Sequence, residues 1–284
     1  MGTRFGTRLS SLLILPAAGA LSMAACTSQP APQTTPAPGA TAAAAATGRQ
    51  PRPEDTEYYT PVPPIVTPGS TNADPPSDAV VLLGRGNDAS EWVQSKDRSP
   101  ALWPVADGIM TVNKQAGGIE TKRSFSNYQI HLEWRVPEGM THRGQSRGNS
   151  GLFLASQGPG DDGYELQILD SYNNTTYVNG QAGALYKQFA PLVNATRPPG
   201  EWQTYDVVWT MPTFNADGSV ATPAYVTAIH NGVLIQDHTA LKGPTLYIGT
   251  PKYVAHGPSP IKLQAHGDPS PPISFRNIWL TELK

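Results

Sequence analysis

The sequence predicts an all-β fold, a sandwich of two antiparallel sheets behind a disordered N-terminal tether. Three observations predict it. From Asp78 onward, apolar and polar residues alternate with period two through many short segments. Gly, Pro and Asn punctuate those segments, with 27 Gly and 29 Pro in 284 residues. No long amphipathic helix with end caps is visible. Many short strands at this spacing argue for a sandwich or barrel.

Residues 1–25 read as an address. Arg4 and Arg8 make a basic start, and Leu9 to Ala25 carries no charge. It runs into Leu21-Ser-Met-Ala-Ala-Cys26, which resembles a bacterial lipobox and implies cleavage before Cys26 and acylation there. The expectation is export to the periplasmic or cell-surface side, with Cys26 as a lipid anchor and the membrane as a partner. A single cysteine allows no internal disulfide. Residues 26–77 form a linker. Ala, Pro and Thr fill it to about Gly48, with too few large apolar groups to fold. From Pro51 to Asp78, prolines mix with Tyr58, Tyr59, Ile65 and Val66, and this stretch is an extended arm.

The folded domain spans 78–284. Tyr128, Ile130, Leu132, Trp134 and Val136 point one way; Gln129, His131, Glu133 and Arg135 point the other. Further strands are expected at 79–83, 109–112, 150–155, 164–169, 205–210, 225–230, 233–236, 261–264 and 273–282. Between two of them, His230-Asn-Gly-Val233 predicts a type I′ hairpin, because Asn-Gly tolerates the positive φ angles.

The polar strand faces carry the chemistry. Glu165 and Gln167 share a face, as do Lys262, Gln264 and His266, and as do His131 and Glu133. If those three strands are neighbours, they form a polar floor with two carboxylates and an imidazole, adequate for acid–base work on a sugar. Asp170 falls on the other parity. Most of the six tryptophans are expected in the core, with one or two open to a groove, where sugar C–H faces stack. A net charge of −2 does not favour nucleic acid. No zinc-ligand spacing appears, nor a phosphate loop or nucleophile elbow. Asp161 and Asp162, in a Gly-rich loop, offer at most a divalent ion such as calcium.

Ordered blocks then resemble the 3-keto-disaccharide hydrolase domain, formerly domain of unknown function 1080. They include Trp103-Pro-Val-Ala-Asp-Gly108, His131-Leu-Glu-Trp-Arg135, Gly148-Asn-Ser-Gly-Leu-Phe153, Tyr164-Glu-Leu-Gln-Ile-Leu-Asp-Ser171, Gly183-Ala-Leu-Tyr186 and Phe275-Arg-Asn-Ile-Trp279. The resemblance implies a concanavalin A-like jelly roll. It also implies action on glycosides whose C3 hydroxyl has been oxidised to a ketone. One position departs: the family often shows Leu-Gln-Asp-His-Gly, whereas this chain has Leu263-Gln-Ala-His-Gly267.

Carbonyl chemistry then suggests elimination across C1–C2 followed by hydration. Glu165 or His266 would be the base and Glu133 the acid. Gln167, Gln264, Asn149, Arg135, His131 and Lys262 would hold the sugar, with a divalent ion as an alternative electrophile. Direct hydrolysis between two carboxylates is the rival route. A non-catalytic lectin-like module and a surface scaffold are the other classes the fold allows.

Overall fold

The structure, a computed structural model, describes residues 50–284 except Asn87. The expected signal segment, Cys26 and the Ala/Pro/Thr stretch lie outside the described residues. Residues 50–63 belong to a separate small unit. In it, a 3-10 turn at Pro53–Asp55 is closed by the Arg52 amide donating to the Asp55 carboxylate at 3.0 Å.

The second unit, Pro64–Lys284, carries the strands. In chain order they are β1 (Val80–Leu83), β2 (Trp92–Gln94), β3 (Val105–Ala106), β4 (Ile109–Thr111), β5 (Ile119–Thr121), β6 (Tyr128–Arg135), β7 (Ser150–Ser156) and β8 (Gly163–Ile168). Then come β9 (Gln203–Thr210), β10 (Thr213–Phe214), β11 (Val220–Thr222), β12 (Tyr225–His230), β13 (Val233–Ala240), β14 (Lys262–Leu263) and β15 (Ser274–Glu282).

They build two antiparallel sheets, as the concanavalin A-like sandwich requires. One has eight strands in the order β13-β12-β9-β6-β15-β4-β3, with β1 also on β15; the other has five, β2-β5-β14-β7-β8. β10 and β11 form a separate hairpin. The turn between β12 and β13 is the expected one, with φ of 53° at Asn231 and 81° at Gly232. Five short strands escape the sequence reading: β2, β3, β5, β10 and β11 have only two or three residues each, too few to display a period.

The core lies between the sheets. From the eight-stranded sheet it receives Tyr128, Ile130, Leu132 and Trp134; from the five-stranded sheet it receives Ile119, Leu152, Leu154, Leu166, Ile168 and Leu263. Burial of this apolar surface is the main stabilising term. Two tyrosines bridge the layers. The Tyr128 hydroxyl donates to the Leu154 carbonyl at 2.6 Å, and the Tyr205 hydroxyl to the Gln167 carbonyl at 2.8 Å. A phenol buried without a partner would cost about 1–3 kcal/mol, so these bonds fix how β7 and β8 sit over the other sheet.

From Pro64 the chain runs along the domain. The Ser77 amide donates to the Thr67 carbonyl at 2.9 Å. Asn277 Nδ2 and Trp279 Nε1 donate to the Ala73 carbonyl at 2.7 and 3.0 Å. These bonds fasten the arm to the outer face of β15, the face that β6 extends.

Candidate active site

Alternation gives each sheet one core face and one outer face. On the five-stranded sheet, pairing aligns Glu120, Lys262, Phe153 and Glu165 in one row across β5, β14, β7 and β8. Gly151 and Gln167 face each other in the next row, and the Gln264 amide donates to the Gly151 carbonyl at 3.0 Å. These rows floor a cavity of about 280 Å³ lined by Asn149, Asp161, Glu165, Gln167, Tyr186, Thr245, Tyr247, Gln264 and His266. Five expected site residues therefore meet: Glu165, His266, Gln167, Gln264 and Asn149.

Glu165 lies at the bottom, 5% exposed, with no salt-bridge partner among the described residues. Its backbone is held from both sides: its amide donates to Thr245 Oγ1 at 3.0 Å, and its carbonyl accepts from Tyr186 at 3.2 Å. Its side chain lies over Gly151, where an added Cβ would come within 2.5 Å of Oε1. Burial, with the nearby Asp161 charge, pushes the carboxyl up to about 8. It is therefore mostly protonated at neutral pH and can donate.

Gln167 donates to Asn149 Oδ1 at 2.9 Å, but its Oε1 and that of Gln264 are buried with no protein donor. Each such acceptor costs about 1–3 kcal/mol, a cost that a ligand bearing hydroxyl donors would offset.

His266 stands at the cavity's edge with Nε2 3.5 Å from Asn149 Nδ2. The missing carboxylate at position 265 is replaced in space. Asp268 Oδ2 lies 3.3 Å from His266 Nδ1, and the Asp268 amide is 3.2 Å from the same nitrogen. Asp268 is itself held by Lys114 Nζ at 3.0 Å and by Ser270. Although burial opposes ionisation, the His266, Ser270 and Lys114 contacts outweigh it and hold the Asp268 carboxyl below its ordinary range. Ala265 packs against the core, as alternation predicts.

The remaining expected residues lie elsewhere, because the strand of His131 and Glu133 belongs to the other sheet and the three strands do not make one polar floor. His131, Glu133 and Arg135 sit on the outer face of the eight-stranded sheet, so both sheets and the core separate them from Glu165. Glu133 is saturated: Arg276 donates at 2.7 Å through Nε and pairs at 2.6 Å through Nη2, and Asn277 donates at 3.0 Å. Burial opposes ionisation, but His131, Asn277 and Arg276 outweigh it and hold Glu133 down at about 2. His131 Nδ1 lies 2.7 Å from Asp206, and its ring stacks on Trp279. Arg135 and Arg276 both stack on Trp202, at 4.6 and 4.1 Å. A larger hollow beside Glu133, about 700 Å³, is the seam under the arm. Because the two glutamates lie on opposite surfaces, they cannot act on one bond.

Lys262 is also withdrawn from substrate. Its row position is as expected, but Nζ donates to the carbonyls of Gly158 at 2.6 Å and Gly160 at 2.5 Å. Those carbonyls belong to the loop that carries Asp161, so Lys262 braces that loop. Asp170 is buried and bonded to Arg147 at 2.6 Å. No tryptophan lines the cavity; Tyr186 and Tyr247 take that place. Sequence reasoning missed both, along with Thr245 and Asp268, because loops deliver them. The one available signal was Tyr186 inside the block Gly183-Ala-Leu-Tyr186. Among the described residues, no group of three or more His, Cys, Asp or Glu is arranged to hold a metal ion.

Residues 78–281 match the model of the 3-keto-alpha-glucoside-1,2-lyase-like domain. The chain belongs to that family. It is similar to a candidate glycosyl hydrolase from Parabacteroides distasonis ATCC 8503, with 52% identity, 82% of this chain and 97% of that chain covered, and a TM-score of 0.76. A second candidate glycosyl hydrolase from the same organism, at 20% identity and TM-score 0.52, shares the fold; it covers 72% of this chain and 94% of its own. A 3-keto-disaccharide hydrolase of Bacteroides thetaiotaomicron is 26% identical over 155 residues, 44% of this chain and 51% of the relative. The chain thus spans about half the length of that curated relative. Family and relatives mark a glycosyl hydrolase-like, carbohydrate-active protein.

Proposed function

We propose that the cavity over Glu165 binds the 3-keto ring of a glycoside and cleaves its C1–O bond by elimination, with water adding afterwards. The observation that carries this reading is one buried carboxyl, kept protonated near neutrality, beside two buried glutamine acceptors and a carboxylate-backed histidine. The protonated Glu165 is placed to act as acid, and the imidazole at the cavity's edge to act as base. His266, oriented by Asp268, removes the proton on C2. The electron pair becomes the enolate of the C3 ketone, and the side-chain amide of Gln264, which lines the cavity, is the donor for the oxygen that gains charge. The enolate then re-forms the ketone as C1=C2 forms and C1–O breaks. Glu165 gives its proton to the departing oxygen. Addition of water across C1=C2 yields the free keto sugar, so the net reaction is hydrolysis. The family, 3-keto-alpha-glucoside-1,2-lyase-like, and the 3-keto-disaccharide hydrolase relative support this substrate class.

The test is turnover of 3-keto-glycosides in heavy water, with and without chelator. Deuterium at C2 of the product is expected. Products without deuterium would establish direct hydrolysis instead, and binding without turnover would make the chain a lectin-like module. On the lipobox reading, the protein is exported and held on the membrane through Cys26. Cys26→Ser is expected to release it from the membrane fraction, and unchanged fractionation would remove the anchor.

A further inference from the structure

The cavity over Glu165 has a volume of about 280 Å³, just below the usual range of small-ligand sites, about 300–1,000 Å³. One sugar ring fills such a space, so the other half of a glycoside must lie outside it. The two ends of the cavity differ in chemistry. Asn149, Gln264 and His266 make one end polar. Tyr186 and Tyr247 make the other aromatic.

The aromatic end continues onto the surface. The Tyr186 hydroxyl lies 2.6 Å from that of Tyr177, and the two rings are 6.2 Å apart. Lys187 braces the group: Nζ donates to the Tyr247 carbonyl at 2.7 Å and sits 3.9 Å from that ring, 5.7 Å from Tyr177 and 5.9 Å from Tyr186. Its backbone adopts φ 57°, and its amide donates to Asn179 at 2.8 Å. That left-handed conformation is unfavourable for a residue with a Cβ, so it persists because the surrounding contacts hold it. Tyr247 is nevertheless 70% exposed and Tyr177 40%, with Ile248 open beside them. Ordered, solvent-facing aromatic rings at the mouth of a polar cavity are what a flat ring stacks on.

We infer that Tyr247 and Tyr177, braced by Lys187, form a stacking subsite for the leaving-group ring. The preferred substrates are then glycosides that carry a flat ring beyond the scissile bond. This rests on the reading that the cavity holds the 3-keto ring. The C–H face of a second sugar and the π face of a phenol share the required chemistry. Glu165 sits between the two ends, where it can protonate the departing oxygen.

The experiment is calorimetric titration of the full chain carrying His266→Gln, which removes the base that every leaving group requires, with the methyl, p-nitrophenyl and glucosyl 3-keto-glucosides, with and without Tyr247→Ala. The second substitution is expected to raise Kd about 5- to 10-fold for the two ringed ligands and less than 2-fold for the methyl one. Tyr247→Phe should keep the wild-type pattern, because the ring and not the hydroxyl does the stacking. A loss for the nitrophenyl ligand alone assigns the subsite to aryl leaving groups, and a loss for the glucosyl ligand alone to disaccharides. Equal weakening of all three ligands, or of none, overturns the subsite while leaving the cleavage reading intact. If Tyr247→Ala fails to fold, Lys187→Ala reads the same split. If none of the three binds any variant and wild type turns none over, the cleavage reading fails and the subsite falls with it.

Discussion

Glu133 and Glu165 occupy equivalent places in two strands of alternating sequence. Each has core residues on both sides, Leu132 and Trp134 for one, Tyr164 and Leu166 for the other. Each is nearly buried on an outer sheet face. Their neighbours across the sheet make them opposites. Glu133 faces Arg276 on β15 and is backed by His131 and Asn277, so its carboxyl is held at about 2. Glu165 faces Phe153 and lies over Gly151, without a cation, and burial takes it up to about 8. Strand parity places a carboxylate on a face, and the next strand decides whether it is structural or reactive.

The largest expected effect tests that contrast on turnover. Glu165→Gln should lower kcat about 10²–10⁴-fold on a disaccharide, and much less on a nitrophenyl glycoside, whose leaving group needs no proton. Glu133→Gln should leave kcat within about 2-fold and instead lower stability by about 2 kcal/mol, or roughly 6 °C in Tm, because it weakens the pairing of His131 and Arg276. The Arg276 share is small, since that side chain is 40% exposed. Parallel measurement of kcat/KM and thermal melts on both variants checks the pair. Equal loss of activity in both would erase the distinction between the faces. The pH profile sharpens it. As the acid, Glu165 must be protonated, so wild-type kcat/KM should fall as pH rises through about 8.

How much of this is legible in the chain follows from the same physics. The long strands β6, β9 and β15 show their period over eight or nine residues, and the Asn231-Gly232 turn declares itself through residues that accept positive φ. Glu165, Gln167 and Gln264 are readable as one polar face because parity is local. Their adjacency is not, since β14 enters between β5 and β7 from more than a hundred residues downstream of either. Long-range pairing likewise puts β6 in the other sheet, although its polar face reads in sequence like those of the site strands. Asp268 was hidden for a different reason. The resemblance directs attention to Ala265, whereas the chain beyond β14 turns back and brings the carboxylate from two residues after the histidine.

A second, smaller effect concerns stability against pH. Burial disfavours a charged His131, but Asp206 and Glu133 outweigh it and raise the imidazole to about 9 from 6.5. A group raised in the folded state stabilises fully below its unfolded value and loses that contribution as pH rises through the folded one. His131 should thus contribute about 3 kcal/mol at pH 6, fading by pH 9 to 10. Glu133 behaves oppositely at the acid end: its contribution is full above 4.5 and lost as pH falls through about 2. Glu165 also favours the fold only while protonated, so its own contribution fades as pH rises through about 8. The His131 effect is therefore read in a Glu165→Gln background, as the Tm difference between that protein and the same protein with His131→Gln. The difference should be large at pH 6 and close at pH 10; a constant difference would mean that His131 acts through packing on Trp279 alone.

The smallest expected effect tests whether the floor beneath Glu165 is shaped for it. Gly151 has no positive φ, so an alanine there meets no backbone strain. Its Cβ would instead stand 2.5 Å from Glu165 Oε1 and 3.0 Å from Cγ, closer than non-bonded atoms approach. The carboxyl must rotate toward Gln167 or lift toward Tyr247. Displacement of an acid by a fraction of an ångström leaves the fold in place but misaligns the proton transfer. Gly151→Ala is expected to lower kcat about 10-fold on a disaccharide with Tm within a few degrees of wild type, and to spare the nitrophenyl substrate. Matching losses on both substrates would mean that the added methyl blocks the sugar ring itself, which would place the ring, and not the carboxyl, against Gly151.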